Sequence, residues 1–189
     1  NRLEPIFISE DFYKGKPNPH AWISPKRGMI YVDIIVDSLS ELKPSEAESF
    51  KNNGQIYKNK IAKIDEDFSH FINNLEKNNR YLVTCEGAFS YLTNDYGLKE
   101  AYLWPVNAES QITPKRMART ISLVKNKNIP SVFCESTVSN ESQMVVARET
   151  GAKFGGDLFV DSLSQDNKSA NTYLKMLQHN LTLIKKGLN

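Results

Sequence analysis

The chain has 189 residues, 40% hydrophobic and 24% charged, which is enough apolar content to bury a core and excludes a disordered or fibrous chain. Its 24 basic and 22 acidic residues leave a net charge of +2, which argues against a nucleic-acid binder, where a basic excess gathers on one face. The length suits one domain or two small lobes, and no apolar run approaches the ~20 residues that span a bilayer.

Residues 1–43 begin with the apolar segment "EPIFI", followed by the polar turn "YKGKPNPH". His20 stands at the end of this stiff turn, just before a helical pattern in "SPKRGMIYVDIIVDSLSEL". Ser24 is the expected N-cap and Pro25 the expected first helical residue. Met29, Val32, Ile35, Val36, Leu39 and Leu42 recur at helical spacing and form one apolar face.

Residues 44–78 carry Phe50, Tyr57, Ile61, Ile64, Phe68, Phe71 and Leu75 at steps of seven, four and three. This is a narrow stripe on a long, otherwise polar helix. About 35 residues at ~1.5 Å each would reach roughly 50 Å. Such a helix either pairs in a coiled coil or lies as a strut across lobes, and the strut is favoured because only one such segment exists.

Residues 80–189 alternate strand and helix. "YLVTC", "EAYLWPV", "PSVFC" and "DLFV" read as strands. The intervening helices are "GAFSYLTNDYG", closed by Gly97; "PKRMARTISLVKNKN", capped by Thr113 and opened by Pro114; and "ESQMVVARETG", ended by Gly151. "SANTYLKMLQHNLTLIKKG" is the final helix. Four β/α units in succession imply a four-stranded parallel sheet covered by helices.

In open parallel sheets, ligands sit beyond the carboxyl ends of the strands. Glu86, Glu135 and Asp161 follow three of the expected strands. One such carboxylate is as well explained as a solvated group at a helix N-terminus, where negative charge is favoured. Three along one edge repel one another unless a cation lies between them, and with a histidine they offer a mixed oxygen and nitrogen donor set. The glycines of "GAKFGGD" lack the phosphate-loop spacing, and no G-x-S-x-G elbow is present. His70 and His179 lie on helices among polar neighbours and read as solvated or packed. Cys85 and Cys134 read as free thiols or one bridge, composition leaning slightly towards thiols.

The blocks "PNPHAWISPKRGMIYV", "VTCEGAFSYLTNDYGL", "AYLWPVNAE", "VFCESTVS" and "GGDLFVDSLS" stand in order along essentially the whole chain. Together they resemble the manganese, iron and zinc group of solute-binding proteins of ABC importers, most closely its cyanobacterial-type manganese members. The resemblance implies an α/β fold of two (β/α) lobes joined by one long rigid helix, with metal held between the lobes. On that plan, residues 1–43 end a first lobe that is largely absent, 44–79 form the linking helix, and 80–189 form the second lobe. Another metal-binding histidine belongs to the absent part. The chain opens at Asn1 without an initiator methionine, and is expected to be the C-terminal portion of a longer protein that would bind metal more tightly.

The resemblance assigns His20, Glu86 and Asp161 as metal ligands and implies binding rather than catalysis. Zinc-type members usually carry a histidine where this chain has Glu86, so Mn²⁺ is the expected cargo, with Zn²⁺ and Fe²⁺ as alternatives. The implied partners are a membrane permease and its ATPase. The implied form is a monomer, and the implied location is the periplasm or a lipid anchor at the outer face of the cytoplasmic membrane. In the implied lobe, Cys85 and Cys134 end neighbouring strands ~4.8 Å apart, a spacing compatible with a disulfide. Two readings from other classes are a metal-dependent hydrolase and an adhesin on the same fold.

Overall fold

The computed structural model describes residues 2–10, 12–106, 112–165 and 169–189. Residues 107–109, which end the block "AYLWPVNAE", lie outside them, as does Asn1.

Pro25 has its φ preset for a helix and no N–H to leave unpaired, and it opens α1 (Pro25–Leu42). Ser24 occupies the N-cap position, but its hydroxyl does not cap the helix; Oγ donates instead to Asp95 Oδ2 at 2.7 Å. Of the apolar face expected on α1, Met29 and Val32 pack against the core. Ile35, Leu39 and Leu42 are 54%, 40% and 82% exposed, so the face meets this chain's core only in its first half.

Pro44 breaks the helical run, because it cannot supply an N–H to a continuing ladder. Pro44–Glu46 is a separate 3-10 turn, and α2 covers Ala47–Asn74. The long helix has 28 residues, about 42 Å, shorter than the spacing suggests, because residues 44–46 and 75–78 fall outside it. Its stripe is buried at Ile61, Ile64 and Phe68, with Ile72 added, while Tyr57, Phe71 and Leu75 pack at the margin. α2 lies along α1, where Lys58 Nζ pairs with Asp33 at 2.6 Å. Further on it packs against α6 (Tyr173–Leu188), where Lys185 Nζ meets Asp67 Oδ2 at 2.7 Å.

The alternating region forms as expected in order: β1 (Tyr81–Glu86), α3 (Ser90–Tyr96), β2 (Lys99–Trp104), α4 (Pro114–Lys127), β3 (Ser131–Glu135), α5 (Glu141–Thr150), β4 (Lys153–Leu158) and then α6. β1 pairs with β2 and β3 with β4, both in parallel. Side chains alternate between faces with the period of two that a strand dictates. Leu82 and Phe133 join the core under α2, α3 and α6; Val83, Cys85, Val132 and Cys134 join the core that Val124 of α4 and Val146 of α5 complete.

The fourth strand is displaced from its expected place. "DLFV" was the apolar run, but β4 is "KFGGDL", so only Asp157 and Leu158 of that run lie in the strand. The glycines that read as a loop belong to the sheet because a neighbour needs their space. A Cβ on Gly155 would lie 2.3 Å from Phe133 Cε1, and Gly156 has φ +117°, which L residues rarely adopt. The register shifts at this point, between Val132 and Cys134.

The sheet also has a seam. β1 and β3 lie side by side and run parallel, but the main-chain ladder does not join them. Side chains do so instead. Gln143 of α5, fully buried, donates Nε2–H to Val83 O at 3.3 Å and to Phe133 O at 2.9 Å. Next along the strands is the disulfide Cys85–Cys134, with Cα atoms 4.8 Å apart. Beyond it, the Glu86 N–H donates to Glu135 Oε2 at 3.0 Å.

Two stability outcomes follow from this packing. Gly155→Ala is expected to cost about 1–3 kcal/mol through overpacking against Phe133; an unchanged urea midpoint would show that the ring can yield. The disulfide closes a loop of 49 residues. Replacing both cysteines with alanine should cost about 4 kcal/mol in the chain-entropy view. Equal urea midpoints for the oxidised and reduced protein would contradict that.

Candidate metal centre

The turn that carries His20 is built before α1 begins. Ile8 and Lys16 exchange main-chain contact, with Ile8 N–H donating to Lys16 O at 2.9 Å, and Asn18 N–H donates to Ile6 O at 2.8 Å. Tyr91 of α3 clamps this hairpin: its hydroxyl accepts Ile6 N–H at 3.1 Å and donates to Asn18 O at 2.9 Å. Pro19 then fixes the approach to His20, which is 2% exposed.

Asn18 is the residue that sets the imidazole. Its Nδ2 donates to Gly87 O at 2.7 Å and to Ser90 Oγ at 3.3 Å. A carbonyl can only accept, so the amide must present nitrogen to Gly87 and oxygen to His20. Oδ1 accepts His20 N–H at 3.0 Å and lies 2.9 Å from Nδ1. Nδ1 therefore carries the ring proton and donates it, leaving a lone pair on Nε2. Nε2 points to Asp161 Oδ2, 3.5 Å away. Burial pushes the His20 pKa below its ordinary value, although the Asp161 carboxylate opposes this. The ring is thus held neutral with its ligating nitrogen facing a carboxylate.

The same turn is joined to both acidic residues assigned beside it. Asn18 bonds to Gly87, the residue after Glu86. Trp22 Nε1 donates to Val160 O, the residue before Asp161, at 3.3 Å. Tyr173 of α6 donates its hydroxyl to Trp22 O at 2.7 Å, so the turn is braced from a third side. Beyond it, α1 is moored to α3 by Arg27, whose Nε and Nη2 grip both oxygens of Asp95 at 2.9–3.2 Å. Burial raises the Asp95 pKa, but hydrogen bonds from Arg27 and Ser24 outweigh it and hold the carboxyl below its ordinary value.

Glu86 is the last residue of β1 and is buried. Asp161 lies three residues past the end of β4 rather than directly after it, and its side chain is 48% exposed. His20 and Asp161 meet directly; Glu86 reaches the pair through Gly87 and Asn18, and the three do not form one closed cluster of donors. Glu135 has a different place from the solvated cap that was its alternative. It is fully buried, and its Oε2 supports the Glu86 amide while Oε1 has no partner among the described residues. Desolvation first, then the neighbouring Glu86, raise its pKa well above the ordinary value. It also lies with Cys85 and Cys134 within 4.8 Å, but sulfurs joined to each other offer no thiolate to a cation.

His70 and His179 stand apart from this region. His70 Nε2 lies 3.3 Å from Asn74 Nδ2 on the surface of α2, and His179 Nε2 lies 3.3 Å from Asp157 O beside the Phe159 ring. Asn18, Trp22 and Gln143 have structural roles around the site that residue type alone does not announce. Only Asn18 carried a signal: an Asx residue before proline is a turn former that bonds the backbone two residues on, as it does here to His20 N–H.

The sequence and the fold are similar to those of known proteins. The family model described as "zinc-uptake complex component A periplasmic" matches residues 4–187. The iron-binding protein YfeA of Yersinia pestis is 42% identical over 98% of this chain and 60% of its own length. The manganese ABC transporter substrate-binding lipoprotein PsaA of Streptococcus anginosus is 31% identical over 99% of this chain and 60% of its own. The chain thus spans about 60% of the length of these curated relatives. A Mn-bound mutant of the periplasmic metal binding protein from Candidatus Liberibacter asiaticus superposes with a TM-score of 0.92 at 39% identity, covering 99% of this chain and 69% of that one. With a match over nearly its full extent, the chain belongs to the zinc-uptake complex component A periplasmic family.

Proposed function

We propose that this chain is the metal-capturing part of a solute-binding component of an ABC importer. It holds a divalent transition metal, Mn²⁺ in the favoured reading, through His20, Glu86 and Asp161, and hands it to a membrane permease served by an ATPase. It works outside the cytoplasmic membrane, in the periplasm or on a lipid anchor. The observation that carries this reading is His20: a buried neutral imidazole, its Nδ1 proton spent on Asn18 and its Nε2 lone pair turned to the Asp161 carboxylate at 3.5 Å. A metal-ligating histidine needs that tautomer and that second-nitrogen bond. The relatives support the class, since one is named for iron binding and the other as a manganese ABC transporter substrate-binding lipoprotein.

The favoured metal rests on donor chemistry. Two carboxylates and an imidazole suit a hard cation with room for more than four donors, whereas Zn²⁺ prefers four in a tetrahedron and takes imidazole well. Affinity order alone would favour Zn²⁺ over Mn²⁺ at such a site, so geometry and supply must decide.

Asp161→Ala removes a charged oxygen donor facing His20. It should lower Mn²⁺ affinity at least 100-fold in calorimetric titration while leaving the thermal midpoint of the metal-free protein nearly unchanged. Glu135→Ala leaves all three donors in place and should lower affinity less. Equal losses would mean that Asp161 is not a ligand. Glu86→His exchanges a chelating carboxylate for a second nitrogen donor and removes one negative charge. Competition against a chelator of known affinity should show Mn²⁺ binding falling sharply and Zn²⁺ binding little changed. An unaltered Zn/Mn ratio would remove the main support for manganese.

A further inference from the structure

The hydrogen bonds that fix His20 do not end at Asn18. Asn18 Nδ2 donates to Ser90 Oγ at 3.3 Å, and Ser90 Oγ in turn donates to Glu100 Oε2 at 2.7 Å. The other Glu100 oxygen accepts the Phe89 N–H at 3.2 Å. Glu100 is on β2, opposite Leu82 of β1, and its side chain lies over the start of α3. The chain of donors has one sense throughout: His20 Nδ1–H to Asn18 Oδ1, Asn18 Nδ2–H to Ser90 Oγ, Ser90 O–H to Glu100.

We propose that Glu100 is a positioning residue for His20, acting through Ser90 and Asn18 to polarise the imidazole towards the metal. This rests on the reading of His20 as a metal ligand. A hydroxyl that gives its proton to a carboxylate has its lone pairs free and enriched, so it is a better acceptor for Asn18 Nδ2–H. A more polarised amide has a more negative oxygen, which draws the His20 Nδ1 proton more strongly. Density displaced along the ring makes Nε2 the stronger donor, which is the way an outer carboxylate raises the basicity of a ligating histidine. Here the carboxylate is two residues removed instead of in direct contact. The Asn18–Gly87 bond holds the amide's orientation regardless. Glu100 therefore sets how strongly the imidazole is polarised, and Gly87 sets which tautomer it adopts.

Burial pushes the Glu100 carboxyl up to about 7, against the hydrogen bonds from Ser90 and Phe89, so the chain ends in a full negative charge only above neutrality. Glu10, Arg119 and Tyr102 share the groove beside Glu100 and remain the same in every variant below.

The test uses the metal-free 189-residue protein at pH 8. ¹⁵N-labelled histidine spectra would be recorded for the parent, Glu100→Gln, Ser90→Ala and the double variant. The His20 ring is 2% exposed, so its Nδ1 proton should exchange slowly enough to observe. The expected result is an upfield move of that proton in each single variant, with Nδ1 still protonated, and no further move when Glu100→Gln is added to Ser90→Ala. In parallel, Mn²⁺ affinity of Glu100→Gln should fall about tenfold, the lower end of what outer partners of a metal-binding histidine contribute. A Nδ1 proton unmoved by Glu100→Gln overturns the proposal. So does an equal move with Ser90 already removed, since Glu100 would then be acting through the Phe89 amide. Spectra as expected in a parent protein that takes up no Mn²⁺, Fe²⁺ or Zn²⁺ would uphold the relay and overturn the metal reading instead.

Discussion

A primary amide has two protons to give and two lone pairs to offer, and at Asn18 all four are engaged although the side chain is 4% exposed. Buried amides are costly when any of those valences is left unpaired. The cost cannot be met with the amide reversed, because Gly87 O has no proton to give. The same requirement that makes Asn18 stable to bury therefore fixes the His20 tautomer. It also fixes the distance between the His20 turn and the end of β1, because the shortest of the four bonds, at 2.7 Å, goes to the residue after Glu86. Trp22 does the equivalent towards Asp161 through Val160 O. The histidine turn is thus the piece to which both acidic loops are registered.

That registration would be of little use if the strand beneath Glu86 could slide. β1 is bound to β2 by a regular ladder, but on its other side it meets β3 without one. A sheet lacking ladder bonds at its centre leaves carbonyls and amides to satisfy. The Gln143 amide supplies donors to Val83 O and Phe133 O, and the Glu135 carboxyl supplies an acceptor to Glu86 N–H. The disulfide between them fixes register covalently. The two strands are held by three different side-chain devices in succession, the last of which acts on the residue proposed to hold the metal. Glu135 therefore influences the site from behind, through the main chain of Glu86.

How much of this could be read from the sequence depended on whether the signal was local. Pro25, Pro114, Gly97 and Gly151 mark helix ends through their own backbone chemistry, and each stands at the boundary expected of it. Strand β4 was misplaced because its evidence is not local. Gly155 looks like a loop residue until the Phe133 ring is found occupying the space of its missing side chain, and Gly156 until its φ of +117° is seen. Pro44 opens a 3-10 turn of its own before α2, a choice between two kinds of helical turn that residue type does not decide. Glu86 and Glu135 were found together as strand-end carboxylates. What separates them, Glu135 turned against the neighbouring strand and Glu86 followed by the Gly87 carbonyl that bonds Asn18, exists only once the strands are assembled. Gln143 and Glu100 read as ordinary polar residues on amphipathic elements; their partners are ten or more residues away in sequence.

Charge gives a last constraint on the proposed metal reading. Glu86, Glu135 and Asp161 as three carboxylates would place three negative charges around one divalent ion, leaving the site over-neutralised and one charge buried without a counterion. The three differ in depth. Glu135 is fully buried, and desolvation favours its neutral form. Asp161, by contrast, has a side chain that is 48% exposed. On the proposed reading, the carboxylates offered to the cation are then those of Glu86 and Asp161. A neutral acid also explains how Glu135 can sit against the Glu86 amide without repelling the carboxylate beyond it: it contributes a dipole to the main chain and no net charge to the ion. The same depth argument accounts for the choice of disulfide beside it. Two thiols at that place would be a second, softer donor pair within 4.8 Å of a carboxyl; joined to each other, they offer no thiolate to compete with the oxygen and nitrogen donors proposed around His20.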